Sequence, residues 1–164
     1  MNHEHALQDL KIVYKIFKKL KLPLILMYGT ALGAYRDHKF LPDEQDIDIA
    51  TFDEKNKVAI WNELEKKGFV KRRGHKDLEG KIDFRYLPVN RQVMFDLFLL
   101  GDNGDHYASW ANDSTICATL PKKFSEFEEI KFYGMKFLIP APTDDFLKET
   151  YGDWKNNKLR NHGR

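Results

Sequence analysis

Cysteine is nearly absent: Cys117 is the only one in 164 residues, which excludes an intramolecular disulfide framework and any multi-thiolate zinc site within the chain. A reducing compartment fits. No apolar run approaches the ~18 residues of a membrane span, and the first nine residues are polar and acidic where a signal peptide needs a basic start and an apolar core. A soluble, cytoplasmic protein is expected. Net charge is lacking too: 27 basic and 25 acidic side chains leave a formal charge of +2, so there is no global basic field to hold a nucleic-acid backbone. Two local basic clusters, Lys71-Arg72-Arg73 and the run from Lys155 to Arg164, either meet phosphate groups or keep the surface solvated. Repeats and low-complexity stretches are missing, and Gly and Pro sit singly between periodic segments. With a hydrophobic share of 42%, one domain over residues 1–164 is expected, acting on a small or mixed-charge substrate.

What is present is periodic. Leu7, Leu10, Tyr14 and Phe17 recur in steps of three and four, with Val13 and Leu20 beside them, which predicts an amphipathic helix ended by Pro23. Residues 24–28, Leu-Ile-Leu-Met-Tyr, read as a strand buried on both faces, followed by a turn and a short helix from Thr30 to Asp37. Residues 46–50 alternate acid and apolar side chains, the pattern of a strand with one face in the core and one presenting carboxylates. A helix with Val58, Trp61 and Leu64 inward is expected next, closed by Gly68. Strands follow at 82–89 and 92–100 around a turn at 88–91, then a hairpin over 129–139 turning at Tyr133-Gly134. Thr143 is placed to cap a last helix to about Tyr151, with Asp144 and Asp145 set against its dipole. The order predicts an α/β fold with a mixed sheet flanked by helices.

Three features suggest chemistry. Tyr28-Gly29-Thr30 stands at a strand-to-helix junction, where Gly29 permits close approach of a ligand and Thr30 opens a helix; the same pair also serves as an ordinary turn with a cap. Asp46 and Asp48, two apart on a strand, aim at one side and repel. Either a hard cation such as Mg²⁺ or Mn²⁺ compensates them, or they line a solvated acidic face. Asp96 sits inside the apolar run 93–100, so it joins other charges around a metal or faces a solvated sheet edge.

Gly-Thr at a strand end, Asp-x-Asp on the next strand and a third Asp on a later one resemble the nucleotidyltransferase superfamily. The stretch from Tyr28-Gly29-Thr30-Ala31-Leu32-Gly33-Ala34-Tyr35-Arg36 through Phe40-Leu41-Pro42 to Asp46-Ile47-Asp48-Ile49 is similar to the signature of the LicD and fukutin family, and Tyr151-Gly152-Asp153-Trp154 to its closing Tyr-Gly-x-x-Trp element. Asp43 and Glu44 stand where that family has Trp and Asp, which makes Glu44 a further candidate ligand. The resemblance implies metal-dependent transfer of a phosphorylated alcohol, of phosphocholine or polyol phosphate type, from a CDP-linked donor to a glycan hydroxyl, with CMP released. A transfer of NMP from NTP to a hydroxyl or amine, releasing pyrophosphate, uses the same carboxylates. On either reading Gly29 and Thr30 hold donor phosphate, and Asp46, Asp48, Asp96 and Glu44 surround the metal. Asp96 is also a candidate base. Arg36 pairs with a phosphate, or else forms a salt bridge with Asp37 or Glu44.

Overall fold

The computed structural model describes residues 1–52, 54–71, 81–86, 93–112 and 115–156. Helix α1 (His3–Leu20) starts where the Asn2 side chain accepts the His5 N–H, and stops where Lys21 turns left-handed at φ 58, two residues before Pro23. Strand β1 is only Ile25–Leu26. The apolar run 24–28 does not stay extended: Tyr28 adopts φ 43 and opens helix α2 (Tyr28–Leu32), which widens into a π-helix at Gly33–Asp37 closed by His38 at φ 54. A side chain at positive φ costs roughly 1–2 kcal/mol, and π-helical turns cluster at functional sites.

Strand β2 (Asp46–Thr51) and helix α3 (Lys57–Glu65) come next, then β3 (Phe69–Lys71), β4 (Lys81–Tyr86) and β5 (Met94–Leu99). The chain ends with β6 (Gly101–Asn103), β7 (His106–Asn112), β8 (Thr115–Pro121), β9 (Glu126–Phe132), β10 (Met135–Ala141) and helix α4 (Thr143–Tyr151). Seven strands form one mixed sheet in the order β3-β4-β5-β2-β1-β10-β9, with β2/β5 and β1/β10 parallel; β6-β7-β8 form a small second sheet. The hairpin turn at Tyr133-Gly134 has both residues at positive φ, 48 and 77, as a two-residue turn matched to strand twist requires.

Alternation sorts the side chains of the large sheet. Ile47, Ile49, Phe95, Leu97, Phe137 and Ile139 enter one core together with Leu10, Val13 and Phe17 of α1 and Ile60 and Leu64 of α3. Ala50, Phe98 and Ile25 enter a second core with Leu32, Leu120, Phe146 and Trp154. By the same period-two rule Asp46, Asp48 and Asp96 lie on this second side, between the large sheet and the α2, β8 and α4 segments.

Several expectations change. Val58 is 70% exposed, and Ile60 and Leu64 are the buried residues of α3; residues 58–61 are nearly all apolar, so two stripes compete, and packing beside α1 chooses the second. Thr143 does not cap α4 as an N-cap. It occupies the first helical turn, and its N–H and hydroxyl both meet the Glu128 carboxylate of β9, with the hydroxyl also 2.9 Å from the Pro140 carbonyl. An acid from a neighbouring strand thus satisfies the helix start. The small sheet was not foreseen, because residues 101–121 alternate weakly. The expected turn at 88–91, the strand ends at 87–89 and 92, and the basic stretches at 72–73 and 157–164 lie outside the described residues. Among the described residues no helix is long and apolar enough to cross a membrane.

Candidate metal centre and its surroundings

The carboxylates are assembled by register and by one loop. Strands β2 and β5 run parallel with Asp46 opposite Met94 and Asp48 opposite Asp96, so Asp48 and Asp96 sit side by side on one face. Both are largely buried, at 8% and 6% exposure. Glu44, just ahead of β2, is 3% exposed. Glu44, Asp46 and Asp48 each place a carboxylate oxygen within 4.8 Å of the other two. Asp96, expected as a further ligand, lies in register with Asp48 one strand over and is not in the group that converges within 4.8 Å.

Burial is the main reason why Glu44 is pushed up to about 7, with the charge of Asp46 and a hydrogen bond to it adding to the shift. Buried carboxylates this close keep a proton unless a cation replaces it. The donor set is all oxygen and three-sided, which suits a hard divalent ion. The residues present therefore fit such an ion.

Thr30 holds this arrangement from behind. Its hydroxyl accepts the Asp48 N–H at 2.9 Å, while the Met27 N–H donates to the Asp48 carbonyl at 3.1 Å. Where β1 bends into α2 the sheet would lose a partner for Asp48, and the Thr30 hydroxyl takes that place. Gly29 is where Glu44 comes closest to the helix: a Cβ there would stand 2.3 Å from Glu44 Oε2 and 2.8 Å from Oε1. At Gly33 a Cβ would stand 2.6 Å from the Lys39 carbonyl oxygen. The two glycines of the motif thus predict opposite outcomes. Gly29→Ala should leave the melting temperature nearly unchanged, because a flexible carboxylate can swing away, yet weaken divalent-ion binding at least tenfold. Gly33→Ala should cost roughly 1–3 kcal/mol of stability, because a backbone oxygen cannot move aside. Thermal melts beside Mn²⁺ titrations check both, and equal melting losses would count against this placement of Glu44.

Arg36 makes the salt bridge with Asp37: Nε and Nη2 reach the two carboxylate oxygens at 2.8 and 2.9 Å, and Nη1 donates to the Trp154 carbonyl at 3.0 Å. The Asp37 side chain, through that pairing, is held below the usual carboxylate range. Tyr35 packs on Trp154 with ring centroids 5.6 Å apart. The π-helix thereby anchors the segment after α4. Two tyrosines outside the expected site residues border the acids. The Tyr28 hydroxyl accepts the Thr119 N–H of β8 at 3.3 Å, its ring meets Phe98 edge-on at 5.7 Å, and burial pushes its hydroxyl up to about 12. Tyr151 is raised further, by burial and then by the charges of Asp48 and Glu44. The sequence signal for both was the pair of motifs they begin, at 28–30 and 151–154.

This geometry has relatives. Among solved structures, the lincosamide antibiotic adenylyltransferase LnuA with lincomycin bound superposes with a TM-score of 0.57 at 14% identity, over 90% of this chain and 85% of that one. ANT(2″)-Ia in complex with adenylyl-2″-tobramycin gives 0.59 at 15% identity, over 90% and 75%. At such identity the likeness is one of fold, and the fold is that of the nucleotidyltransferases. The sequence model of the LicD/FKTN/FKRP nucleotidyltransferase domain matches residues 21–142, and the chain belongs to that family of transferases. Ribitol-5-phosphate transferase FKTN of Mus musculus is 24% identical over 155 residues, 93% of this chain and 33% of its own length. The Homo sapiens protein of the same name is 24% identical over 153 residues, 92% and 33%. The chain spans about a third of the length of these relatives.

Proposed function

We propose that the chain catalyses metal-dependent transfer of a phosphorylated alcohol from a CDP-linked donor to a glycan hydroxyl, releasing CMP. The observation that carries this reading is the convergence of Glu44, Asp46 and Asp48 within 4.8 Å inside the segment that matches the family. The family relatives named as ribitol-5-phosphate transferases favour a polyol phosphate over phosphocholine as the transferred group. Glu44, Asp46 and Asp48 would hold Mg²⁺ or Mn²⁺, which neutralises charge developing on the donor pyrophosphate. Thr30 fixes the backbone of Asp48 so that its carboxylate stays aimed at the site. Gly29, lacking a Cβ, makes room for the Glu44 carboxylate against the start of α2. Asp96, which is in register with Asp48, would take the proton of the acceptor hydroxyl as its oxygen bonds to phosphorus and the bond to CMP breaks. Arg36 serves this site indirectly, by holding the 151–154 segment.

The test is a donor screen with CDP-ribitol, CDP-glycerol, CDP-choline and CDP-ethanolamine, with NTPs as the control. Mg²⁺- or Mn²⁺-dependent CMP release, greatest with a polyol donor and abolished by EDTA, is the expected result. Full turnover in excess EDTA would overturn the metal assignment. Pyrophosphate released from an NTP, with no CMP from any CDP-alcohol, would move the reaction to nucleotidyl transfer on the same carboxylates.

A further inference from the structure

Tyr151 closes α4 next to Gly152, and the four residues from it to Trp154 are held from outside the helix. Arg36 Nη1 donates to the Trp154 carbonyl at 3.0 Å, Trp154 packs on Tyr35, and Tyr151 joins the apolar cluster that contains Tyr28, Leu32 and Leu41. All these anchors belong to one stretch of chain, residues 28–41, which also carries Gly29 and Thr30. The end of α4 is thereby fixed against the segment that carries Gly29 and Thr30, more than 100 positions earlier in the sequence. The Tyr151 hydroxyl lies near enough to Asp48, Glu44 and Tyr28 to feel their charge, and among the described residues it makes no hydrogen bond.

A partly buried phenol beside Asp48 and Glu44 that makes no hydrogen bond among the described residues can donate its proton to a ligand at the site. Glu44, Asp46 and Asp48 have an ion to hold. A phenol is an uncharged donor that the acids do not repel. The oxygens that an ion at this centre would bring beside it are those of a phosphate group.

We infer that Tyr151 is a substrate-binding residue, whose hydroxyl donates a hydrogen bond to a phosphate oxygen of the nucleotide-linked donor held at the Glu44–Asp46–Asp48 centre. The inference rests on the phosphotransfer reading given above for the choice of donor, and on the packing of the α4 end against residues 28–41 for the contact. It also assigns the closing Tyr-Gly-x-x-Trp element a part in the site: Trp154 anchors, and Tyr151 binds.

Tyr151→Phe tests it, because the ring is kept and only the hydroxyl is lost. The melting temperature should be nearly unchanged, since the hydroxyl makes no hydrogen bond among the described residues, and Mn²⁺ binding measured without nucleotide should be unchanged. Calorimetric binding of CDP-ribitol, CDP-choline and CTP in the presence of Mn²⁺ should weaken roughly ten- to a hundredfold for whichever of them wild type binds, the worth of one hydrogen bond to a charged oxygen. In turnover the same loss should appear in kcat/KM. Equal nucleotide affinity in the two proteins would overturn the inference, as would a melting temperature lowered together with Mn²⁺ affinity, which marks a scaffold role. If wild type binds CTP and turns over no CDP-alcohol, the phosphotransfer reading fails while the Tyr151 contact is still decided by CTP affinity. Wild type that binds none of the three nucleotides would overturn both.

Discussion

Asp48→Asn is expected to lower turnover by roughly a thousandfold or more while the metal-free protein melts at the same temperature or slightly higher. Asn keeps the volume of Asp and removes one charge from a repelling, largely buried group in which Asp48 is only 8% exposed. Stability without metal should therefore change by only ~1 kcal/mol. The Asp48 N–H bond to Thr30 is a backbone bond and survives the substitution, so the strand stays in place. Asp96→Asn should follow the same pattern, because Asp96 is in register with Asp48 on the same face. The opposite pattern belongs to a scaffold: a buried carboxylate that held the sheet together through an ion pair would, once removed, leave an uncompensated charge and cost roughly 3 kcal/mol or more. Melts in EDTA beside rates at saturating Mg²⁺ separate the two. A large drop in melting temperature with rate retained would show that these carboxylates are structural.

The second large effect is a pH dependence that a divalent ion should reverse. Glu44 titrates near 4.5 when unfolded and at about 7 in the native protein. A carboxyl raised in the folded state holds more protons there than in the unfolded chain over this interval, so stability falls as pH rises. The contribution is fully present below pH 4.5 and lost above about 7, and the shift corresponds to on the order of 3 kcal/mol, or roughly 10 °C for a chain of this size. Glu44→Gln removes the titrating group, so the wild-type curve minus the variant curve reports Glu44 together with its effect on the hydrogen-bonded Asp46. Mn²⁺ should raise the melting temperature far more at pH 8 than at pH 5, because below 7 the ion must displace the proton on Glu44. A wild-type melting profile that parallels Glu44→Gln across pH 5–8 in EDTA would refute the assignment.

The two predictions rest on parts of the protein that differed in how plainly the sequence revealed them. Asp46 and Asp48 could be placed on one strand face because alternation at 46–50 is strict and local. Tyr133-Gly134 could be placed in a turn because a positive φ at Gly134 needs nothing beyond the residue itself. A loop residue such as Glu44 has no period to orient it, and only the convergence of its carboxylate with those of Asp46 and Asp48 within 4.8 Å shows that it joins them. Val58 was set on the wrong side of α3 because apolar residues at 58–61 support two stripes, and the choice depends on α1. The end of the 24–28 run was misjudged because an apolar Tyr28 looks like strand, whereas packing on Phe98 and the bond from Thr119 hold it at φ 43.

By itself the sequence determined the main helices, the strand that carries Asp46 and Asp48, the mixed α/β architecture and the two motifs. These follow from side-chain periodicity and from residues whose backbone preferences are their own. The tertiary structure alone decided which acids meet, what caps α4, and where Tyr151 stands. Glu44 against Gly29, Glu128 at Thr143, and Arg36 with Tyr35 holding Trp154 are contacts between segments 15 to more than 100 positions apart. Such contacts form only when sheet register and helix packing have fixed both partners in space, and no local pattern in the chain encodes them.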